Sequence, residues 1–153
     1  DHYRNKVNLI KSLDPSACIG ADVIVGFPGE TDDDFLDTYN FIRDLDLAYL
    51  HVFSFSERDN TDAKSYQNSV PKTKRSERSR ILRNLSDKKR HLFQEQYINS
   101  TREVLFESMK SGYTIGYSDN YIQVKVPQSP GLINSIHPVN LKKEEGGVVF
   151  GEL

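Results

Sequence analysis

Residues 19–35 read IGADVIVGFPGETDDDF, and this stretch decides the fold. Its first part, Ile19–Val25, is largely apolar and rich in β-branched side chains, which is typical of a strand buried on both faces of a parallel sheet. Gly26, Pro28 and Gly29 then end the strand, because proline cannot donate to a ladder and glycine permits a sharp turn. We therefore predict a strand buried on both faces and followed by a tight turn.

A helix is predicted directly after this turn. Thr31 is a good N-cap residue, and Asp34 three positions later completes a near capping box, with Asp in place of the usual Glu or Gln. Apolar side chains follow at helical spacing, namely Phe35, Leu36, Tyr39, Ile42 and Leu45. From Ala48 to Phe55 the pattern changes to the alternation of a strand. Strand, helix and strand in this order indicate an α/β region with a parallel sheet.

The turn at Gly26–Gly29 lies at the carboxyl end of the predicted strand, where open sheets and barrels of the α/β class bind ligands. An ordinary strand–helix connection explains the turn equally well. The pattern is not a P-loop, because no Gly-Lys-Ser/Thr follows, and it lacks the third glycine of a dinucleotide fingerprint. Asp22 must find a donor or face a polar interior, whereas we expect His51 to be a hydrogen-bonded core residue.

Composition and charge narrow the function classes. The chain has one cysteine, Cys18, which excludes a disulfide framework, fits a reducing cytosol and falls short of the roughly three thiolates that an iron–sulfur cluster needs. Cys18 is therefore expected to be a small core residue. Residues 22–62 carry eleven Asp or Glu and two Arg, whereas residues 72–110 carry eleven Lys or Arg and five acids. The basic segment is typical of a nucleic-acid partner, with a solvated helix face as the alternative.

The second half of the chain divides into a long helix and a β-rich region. Residues 72–98 have an apolar stripe, with most basic side chains predicted to lie elsewhere on the helix and to be free to meet RNA. Five short strands are predicted after that, over 102–107, 113–117, 121–126, 132–136 together with 139–141, and 148–150. Strands of this length separated by turn residues favour a small closed β-barrel resembling an oligonucleotide-binding (OB) fold.

Such a barrel binds single-stranded nucleic acid through aromatic and basic side chains. Eight residues of this region have that chemistry and are our candidate RNA-binding residues: Arg102, Lys110, Tyr113, Tyr117, Tyr121, Lys125, Lys142 and Lys143. We also expect at least one of the three tyrosines to belong to the barrel core with its hydroxyl outward.

Three of these segments together resemble one family. The run Asp22–Phe35, the run Tyr49–Ser56 with Arg58, and the β-rich C-terminal region are similar to radical S-adenosylmethionine methylthiotransferases, whose C-terminal RNA-binding barrel is called TRAM. The resemblance covers nearly the whole chain. On the side of the family, it covers only the C-terminal part of the architecture. It departs after Ser56, where Glu57 stands in place of the family's proline and Asn60 in place of its glycine. Asn60 can keep the turn, because asparagine tolerates the left-handed backbone.

The resemblance implies a division of the chain and a set of site residues. Residues 1–72 would be part of a parallel radical S-adenosylmethionine barrel, residues 73–99 a linking basic helix, and residues 100–153 a TRAM-like barrel. Cofactor contacts are implied for Asp22, Ile24, Gly26, Pro28, Phe53 and Arg58. Alternatively, Arg58 is an arginine of a surface loop with no role in cofactor binding. Neither a metal ligand nor a catalytic residue is expected within the chain.

The activity that the resemblance implies is transfer of a methylthio group to C2 of a tRNA adenosine beside the anticodon, foremost N6-threonylcarbamoyladenosine. The parent protein would use S-adenosylmethionine and 4Fe-4S clusters, whereas this chain alone would bind the anticodon stem-loop, hold no cofactor and be inactive. A truncated barrel would leave a strand edge unpaired, so we expect self-association or disorder near residues 1–20. Three alternatives remain: a non-catalytic RNA-binding or scaffold protein, the ribosomal-protein branch of the family, and a radical enzyme for small molecules.

Overall fold

The computed structural model describes residues 2–153, which form two compact units. The first unit contains the N-terminal helix through Pro15 and the segment Ile19–Lys89. The second contains Arg90–Leu153 together with Ser16–Cys18. Each unit has its own buried apolar side chains, so each is described by itself.

The first unit alternates helices and strands. Its elements are α1 (His2–Leu13), β1 (Gly20–Val25), α2 (Asp32–Arg43), β2 (Tyr49–Ser54) and α3 (Lys72–Glu95), the last of which continues into the second unit. β1 and β2 pair in parallel, with Gly20 opposite Tyr49 and Val25 opposite Ser54. The predicted strand–helix–strand order and its parallel sheet are therefore confirmed for this pair.

The capping box of α2 is present. The amide of Asp34 donates to Oγ1 of Thr31 at 3.1 Å, and the amide of Thr31 donates to Oδ2 of Asp34 at 2.9 Å. The Thr31 interaction also lowers the pKa of Asp34, because the carboxylate accepts a side-chain and a backbone hydrogen bond. An aspartate thus performs the role that Glu usually has at this position of the motif.

The core of the first unit lies on one face of the two-stranded sheet. Val25 and Leu50 are buried with residues of the three helices and of the segment between α2 and β2, which are Val7 of α1, Ile42 of α2, Leu82 and Leu85 of α3, and Leu45 and Leu47 of that segment. Ala21 and Val23 pack against this cluster. The opposite face is exposed, with 60% of Ile24 and 52% of Phe53 accessible.

The prediction that this strand is buried on both faces is thus wrong for this chain, because the helices cover one face of the sheet only. The prediction that His51 is a core residue fails for the same reason. His51 lies opposite Asp22 in the register of the sheet and is exposed. Its ring makes an edge-on contact with Tyr49, at 5.1 Å between centroids.

The second unit is a closed β-barrel, as the OB-like prediction requires. Its strands are β3 (Thr101–Lys110), β4 (Tyr113–Ser118), β5 (Gln123–Pro127), β6 (Ile136–Glu145) and β7 (Val148–Glu152), in the spatial order β3-β4-β5-β7-β6. β6 pairs with β3 and closes the barrel, and β5 with β7 is its one parallel pairing among the described strands. Alternate side chains fill the interior, including Val104, Phe106, Val124, Val139 and Val149.

Two details of the predicted strands are wrong. Residues 130–132 form a single 3₁₀ turn and β6 begins at Ile136, so residues 132–135 are not a strand as predicted, and Leu132 is buried. Tyr121 was predicted to begin a strand, but it lies in the turn before β5 with a φ of 61°. The chain reverses there, and the Tyr121 amide donates to the Ser118 carbonyl at 2.9 Å.

A bulge between Phe106 and Ser108 bends β3.

Candidate cofactor face and nucleic-acid interface

Three of the predicted cofactor residues share the exposed face of the first unit's sheet. Asp22, Ile24 and Phe53 point to the same side, because side chains alternate along a strand and Ile24 pairs with Phe53. The carboxylate of Asp22 makes no ion pair with any residue in 2–153. The face therefore offers one unpaired carboxylate beside two exposed apolar side chains, a combination suited to a ligand that carries both a cation and an aromatic ring.

The turn that follows β1 is built by proline and glycine. Pro28 precedes Gly29, whose φ is 90°, and the amide of Glu30 donates to the Phe27 carbonyl at 3.0 Å. This is the pattern of a type II turn, in which the third residue needs a positive φ. The amide of Gly29 also donates to the carbonyl of Asn68 at 2.9 Å, so the turn is tied to the loop before α3.

Glu30 connects this turn to α3. Its carboxylate accepts a short hydrogen bond from the Gly26 amide and pairs with Arg78 at 3.0 Å. Arg78 is 3% exposed, and its other terminal nitrogen contacts Asp32 at 2.7 Å. Lys74 pairs with the other oxygen of Asp32 at 2.7 Å, and these two cations lower the pKa of Asp32. The acidic motif after the strand thus pairs with two cations of α3, the buried Arg78 and the partly exposed Lys74.

Arg75 holds the end of β2 in the same way. Its guanidinium donates to the carbonyls of Val70 and Phe55, at 2.7 and 2.9 Å, and to Ser69 Oγ at 2.7 Å. It also pairs bidentately with Glu57 and lies over the Phe55 ring, at 5.4 Å from its centroid. The hydrogen bond from Arg75 lowers the pKa of Glu57 to about 2.

The buried cations of α3 correct the prediction that its basic residues are free for RNA. Arg75 and Arg78 are buried, and Lys89 donates to the carbonyls of Arg43 and Leu45, at 3.0 and 2.7 Å. Burial also lowers the pKa of Lys89. The sequence contains a signal for this arrangement. Arg75, Arg78 and Lys89 share the three- and four-residue spacing of the core residues Leu82 and Leu85, so they lie on the same side of the helix.

The loop after β2 contains the remaining cofactor candidate, Arg58. Its side chain is exposed, and its carbonyl accepts a bond from Thr61 Oγ1 at 2.9 Å. Asn60 has a φ of 62°. It therefore adopts the left-handed conformation that was expected of an asparagine standing in place of the family's glycine. The structure thus places Arg58 in a turn after the strand, whereas Gly26 and Pro28 belong to the turn after β1.

The barrel brings some of the predicted RNA-binding residues together. Tyr113 lies edge-on to Phe150, with 5.5 Å between ring centroids, and Lys125 Nζ is 6.0 Å from both centroids. Lys143 Nζ lies 5.0 Å from the Phe150 centroid. Lys110 pairs with Tyr113 across β3 and β4. We call Tyr113, Lys125, Lys143 and Phe150 the lysine–aromatic patch. Sequence reasoning missed Phe150, although it alternates with the core residue Val149.

Tyr117 and Tyr121 lie elsewhere, in a cleft of about 630 Å³. Its other lining residues are three acids, two apolar residues and one serine, namely Glu103, Glu107, Asp119, Leu105, Ile136 and Ser118. We call this the acidic cleft. None of the three predicted tyrosines is a core residue, since the accessible fractions are 37% for Tyr113, 39% for Tyr117 and 78% for Tyr121. The expectation that one of them is core is wrong, because all three lie on the barrel exterior or in its turn.

Arg102 and Lys142 are held by other contacts. Arg102 pairs with Asp119 at 2.8 Å and lies over the Tyr97 ring, at 5.1 Å from its centroid. Lys142 occupies a register shift in β6 and pairs with Glu152 at 3.2 Å. The eight candidates therefore do not form one continuous site.

The donor set of this chain does not fit an iron–sulfur cluster. Such a cluster needs several thiolates, and Cys18, which is partly buried, is the one cysteine in the sequence. Within residues 2–153, no group of three or more His, Cys, Asp or Glu side chains is arranged to hold a metal ion. Nor does this part of the chain contain a helix long and apolar enough to cross a membrane.

Comparisons with known proteins agree with the resemblance. The threonylcarbamoyladenosine tRNA methylthiotransferase MtaB of Bacillus subtilis is 33% identical over 148 residues, which are 94% of this chain and 33% of that protein. The MtaB of Aquifex aeolicus is 36% identical over 125 residues, 82% of this chain and 30% of that protein. A tRNA-2-methylthio-N(6)-dimethylallyladenosine synthase of Nitratiruptor is 34% identical over 152 residues, 99% of this chain and 35% of that protein.

No protein-family model matches the chain. The chain spans about a third of the length of these relatives. The similarity nevertheless extends through both units, from the two-stranded sheet to the barrel. Over nearly its whole length, the chain is similar to about one third of the length of proteins named as tRNA methylthiotransferases.

Proposed function

We propose that this chain is the part of a tRNA methylthiotransferase that helps to position S-adenosylmethionine and holds the tRNA. The observation that carries the proposal is the similarity over nearly the whole chain to proteins named as tRNA methylthiotransferases. The modified nucleoside is N6-threonylcarbamoyladenosine next to the anticodon. The names of the two MtaB relatives support this choice over the dimethylallyl nucleoside.

The first unit contributes a cofactor-facing piece of a parallel α/β barrel. In such barrels helices cover the outside of the strands, and the other face points inward to the site. The arrangement of β1 and β2 supports this role, because helices pack on one face only and Asp22, Ile24 and Phe53 are exposed on the other. Asp22 would hold a cationic group of S-adenosylmethionine, and Phe53 would contact its adenine ring.

The turns after the two strands complete this site. Pro28 and Gly26 shape the turn after β1, and Arg58 would pair with the methionine carboxylate, because a guanidinium binds carboxylates bidentately. When bound, S-adenosylmethionine and reduced 4Fe-4S clusters supply the radical and sulfur chemistry. The residues of this chain bind and orient the cofactor. With one cysteine the chain alone is inactive.

The second unit holds the tRNA. A closed barrel with exposed tyrosines and lysines is a common design for binding unpaired nucleotides. Lys110, Lys125 and Lys143 are the cations on which we place phosphate contacts. Lys110 is the strand partner of the exposed Tyr113, and Lys125 and Lys143 lie next to the half-buried ring of Phe150. Lysines that displace counterions supply most of the sequence-independent affinity for nucleic acid.

Nucleoside analysis tests the proposed activity. Total tRNA from cells that lack the gene encoding this chain should contain N6-threonylcarbamoyladenosine without its 2-methylthio group, as measured by mass spectrometry of digested nucleosides. The intact gene should restore the group, and a gene carrying Asp22→Asn should not. Asp33→Asn is the matched control, because Asp33 is exposed in the first turn of α2 and lies on no part of the site.

Other outcomes reassign the chain. Loss of the methylthio group from the dimethylallyl nucleoside would move the chain to that branch, and an unchanged nucleoside profile would overturn the enzymatic role. The single cysteine favours one second candidate, a non-catalytic RNA-binding protein. That candidate predicts tRNA binding by the chain together with an unchanged profile.

A further inference from the structure

We propose that Phe150 is a stacking platform for one unpaired RNA base on the outer surface of the barrel. Lys125 and Lys143 lie on either side of its ring, and the ring of Tyr113 packs edge-on against it. The inference rests on the proposed tRNA binding and identifies the part of the barrel that performs it. It adds a residue that the sequence pattern did not indicate and separates the lysine–aromatic patch from the acidic cleft.

The strand register places two lysines on either side of one ring. Phe150 of β7 pairs with Lys125 of β5 on one side and with Lys143 of β6 on the other. Since cross-strand partners on the same face lie side by side, the three side chains form a row across three strands. The measured distances agree, at 6.0 Å from Lys125 Nζ and 5.0 Å from Lys143 Nζ to the Phe150 centroid.

Tyr113 of β4 packs against the Phe150 ring. Its ring meets Phe150 at 71° with 5.5 Å between centroids, an edge-to-face geometry that fixes the orientation of both rings. Lys125 Nζ lies equally far from the two rings. Both rings of the patch therefore have an ammonium group within about 6 Å of their centroids.

The charges of the patch favour an anionic ligand. Lys143 pairs with Glu145 at 2.9 Å, whereas Lys125 makes no ion pair with any residue in 2–153. Two like charges beside one ring repel each other, and an anion between them relieves that repulsion. A nucleotide supplies both partners, because its base can stack on Phe150 while the phosphates on either side meet the two lysines.

The acidic cleft has the opposite chemistry. Tyr117 and Tyr121 offer aromatic surface there, but Glu103 and Glu107 line the same cleft and make no ion pair with a described residue. Phosphates brought to this cleft would be repelled by both carboxylates. RNA stacking is therefore assigned to Phe150, with Tyr113 as its supporting ring, and not to Tyr117 or Tyr121.

Binding assays with the whole chain test the assignment. The probes are an unmodified tRNA transcript and a single-stranded RNA of about 8 nucleotides containing a fluorescent adenine analogue, a length within the usual site size of OB folds. Phe150→Leu should weaken binding of the single strand about tenfold with an unchanged slope of log affinity against log salt. It should also abolish the quenching of the fluorescent base. Phe150→Tyr should preserve both affinity and quenching.

Lys143→Gln should act differently from the loss of the ring. It should reduce the salt slope by about 0.7 for a single strand, because one phosphate contact is lost, and should leave some quenching. Phe41→Leu is the matched control, since Phe41 also carries a cation, Arg4 at 5.3 Å, and an edge-on tyrosine, Tyr3 at 6.2 Å, but lies in the first unit. It should bind both RNAs as the unchanged chain does.

The outcomes separate the inference from the function on which it rests. Failure of the unchanged chain to bind tRNA even at low salt would overturn the tRNA-holding role itself. Normal tRNA binding with equal affinity and quenching in Phe150→Leu would overturn the platform alone. If the Phe150→Leu barrel no longer melts cooperatively, the double variant with Lys125→Gln and Lys143→Gln is tested for RNA binding instead. Unchanged affinity in that double variant would likewise overturn the platform.

Discussion

The side chain of Arg75 occupies the space that a Cβ atom on Gly26 would need. A Cβ built on Gly26 would lie 2.4 Å from Cγ of Arg75, far inside van der Waals contact. Gly26 also has a φ of 77°, where side chains are strained. The turn after β1 and the first turn of α3 are therefore fitted to each other, and the glycine of the motif makes room for a buried arginine.

Alanine at Gly26 should destabilise the first unit more than alanine at Gly29. Both positions have positive φ, but nothing lies within 4 Å of a Cβ at Gly29. Gly29→Ala should cost about 1 kcal/mol from backbone strain, and Gly26→Ala about 2 kcal/mol more from overpacking. Urea unfolding measures both. Equal losses at the two positions would contradict the contact with Arg75, and a double-mutant cycle with Arg75→Ala should show strong coupling.

Removal of the Arg75 guanidinium should be costly. Arg75→Ala leaves the carbonyls of Phe55 and Val70 without this donor and Glu57 without its cation, so we expect a loss of about 3 kcal/mol. Arg80→Ala, an exposed arginine on the same helix, should change stability by less than about 0.5 kcal/mol. Thermal melting of both variants beside the unchanged chain makes the comparison. Similar melting temperatures for the two would show that the Arg75 contacts contribute little.

The pairing of Glu57 with Arg75 should make stability depend on acid pH. The folded pKa of Glu57 is about 2, below its ordinary value of 4.5. Its contribution is therefore complete above pH 4.5 and is lost as the pH falls from 4.5 toward 2. Glu57→Gln should flatten the stability curve in that window and leave its shape above pH 5 unchanged. Unfolding curves at successive pH values measure this, and an equally steep acid limb in the variant would refute the assignment.

Gly116 should be essential to the barrel. A Cβ there would lie 2.2 Å from the Leu105 carbonyl oxygen, which belongs to the backbone of β3 and cannot move aside alone. Gly116→Ala should lower barrel stability by about 2 kcal/mol, whereas Gly131→Ala meets nothing within 4 Å and should be near neutral. Hydrogen exchange resolves the barrel amides from those of the first unit. Loss of protection in the first unit alone would contradict this expectation.

The exposed face of β1 and β2 should promote self-association. In residues 2–153, β1 pairs with β2 alone, and Ile24 and Phe53 leave an apolar surface beside its other edge. Sedimentation should show a species larger than the monomer that grows with protein concentration. Ile24→Lys should shift it toward monomer, because a charge on the face opposes edge pairing. A purely monomeric unchanged chain at all concentrations would rule this out.

Local sequence pattern was sufficient for the elements that depend on neighbouring residues. The capping box of Thr31 and Asp34, the turn at Pro28 and Gly29 and the left-handed Asn60 are all present, because hydrogen bonds and backbone sterics within a few residues decide them. The closed barrel was also predictable, since alternating short strands separated by turn residues have few other ways to bury one face. The family followed from the ordered run around Gly26–Phe35, which local chemistry alone left open to an ordinary connection.

Only the tertiary structure decided the partners of distant residues. The spacing of Arg75 and Arg78 puts them on the buried side of α3, but only the fold supplied the distant carboxylates and carbonyls that offset their desolvation. It exposed Ile24 and His51, since whether a strand face is covered depends on elements other than the strand itself. It also joined Phe150 to two lysines and put Tyr117 among carboxylates. Register across strands brings such residues together, and no spacing along the chain encodes it.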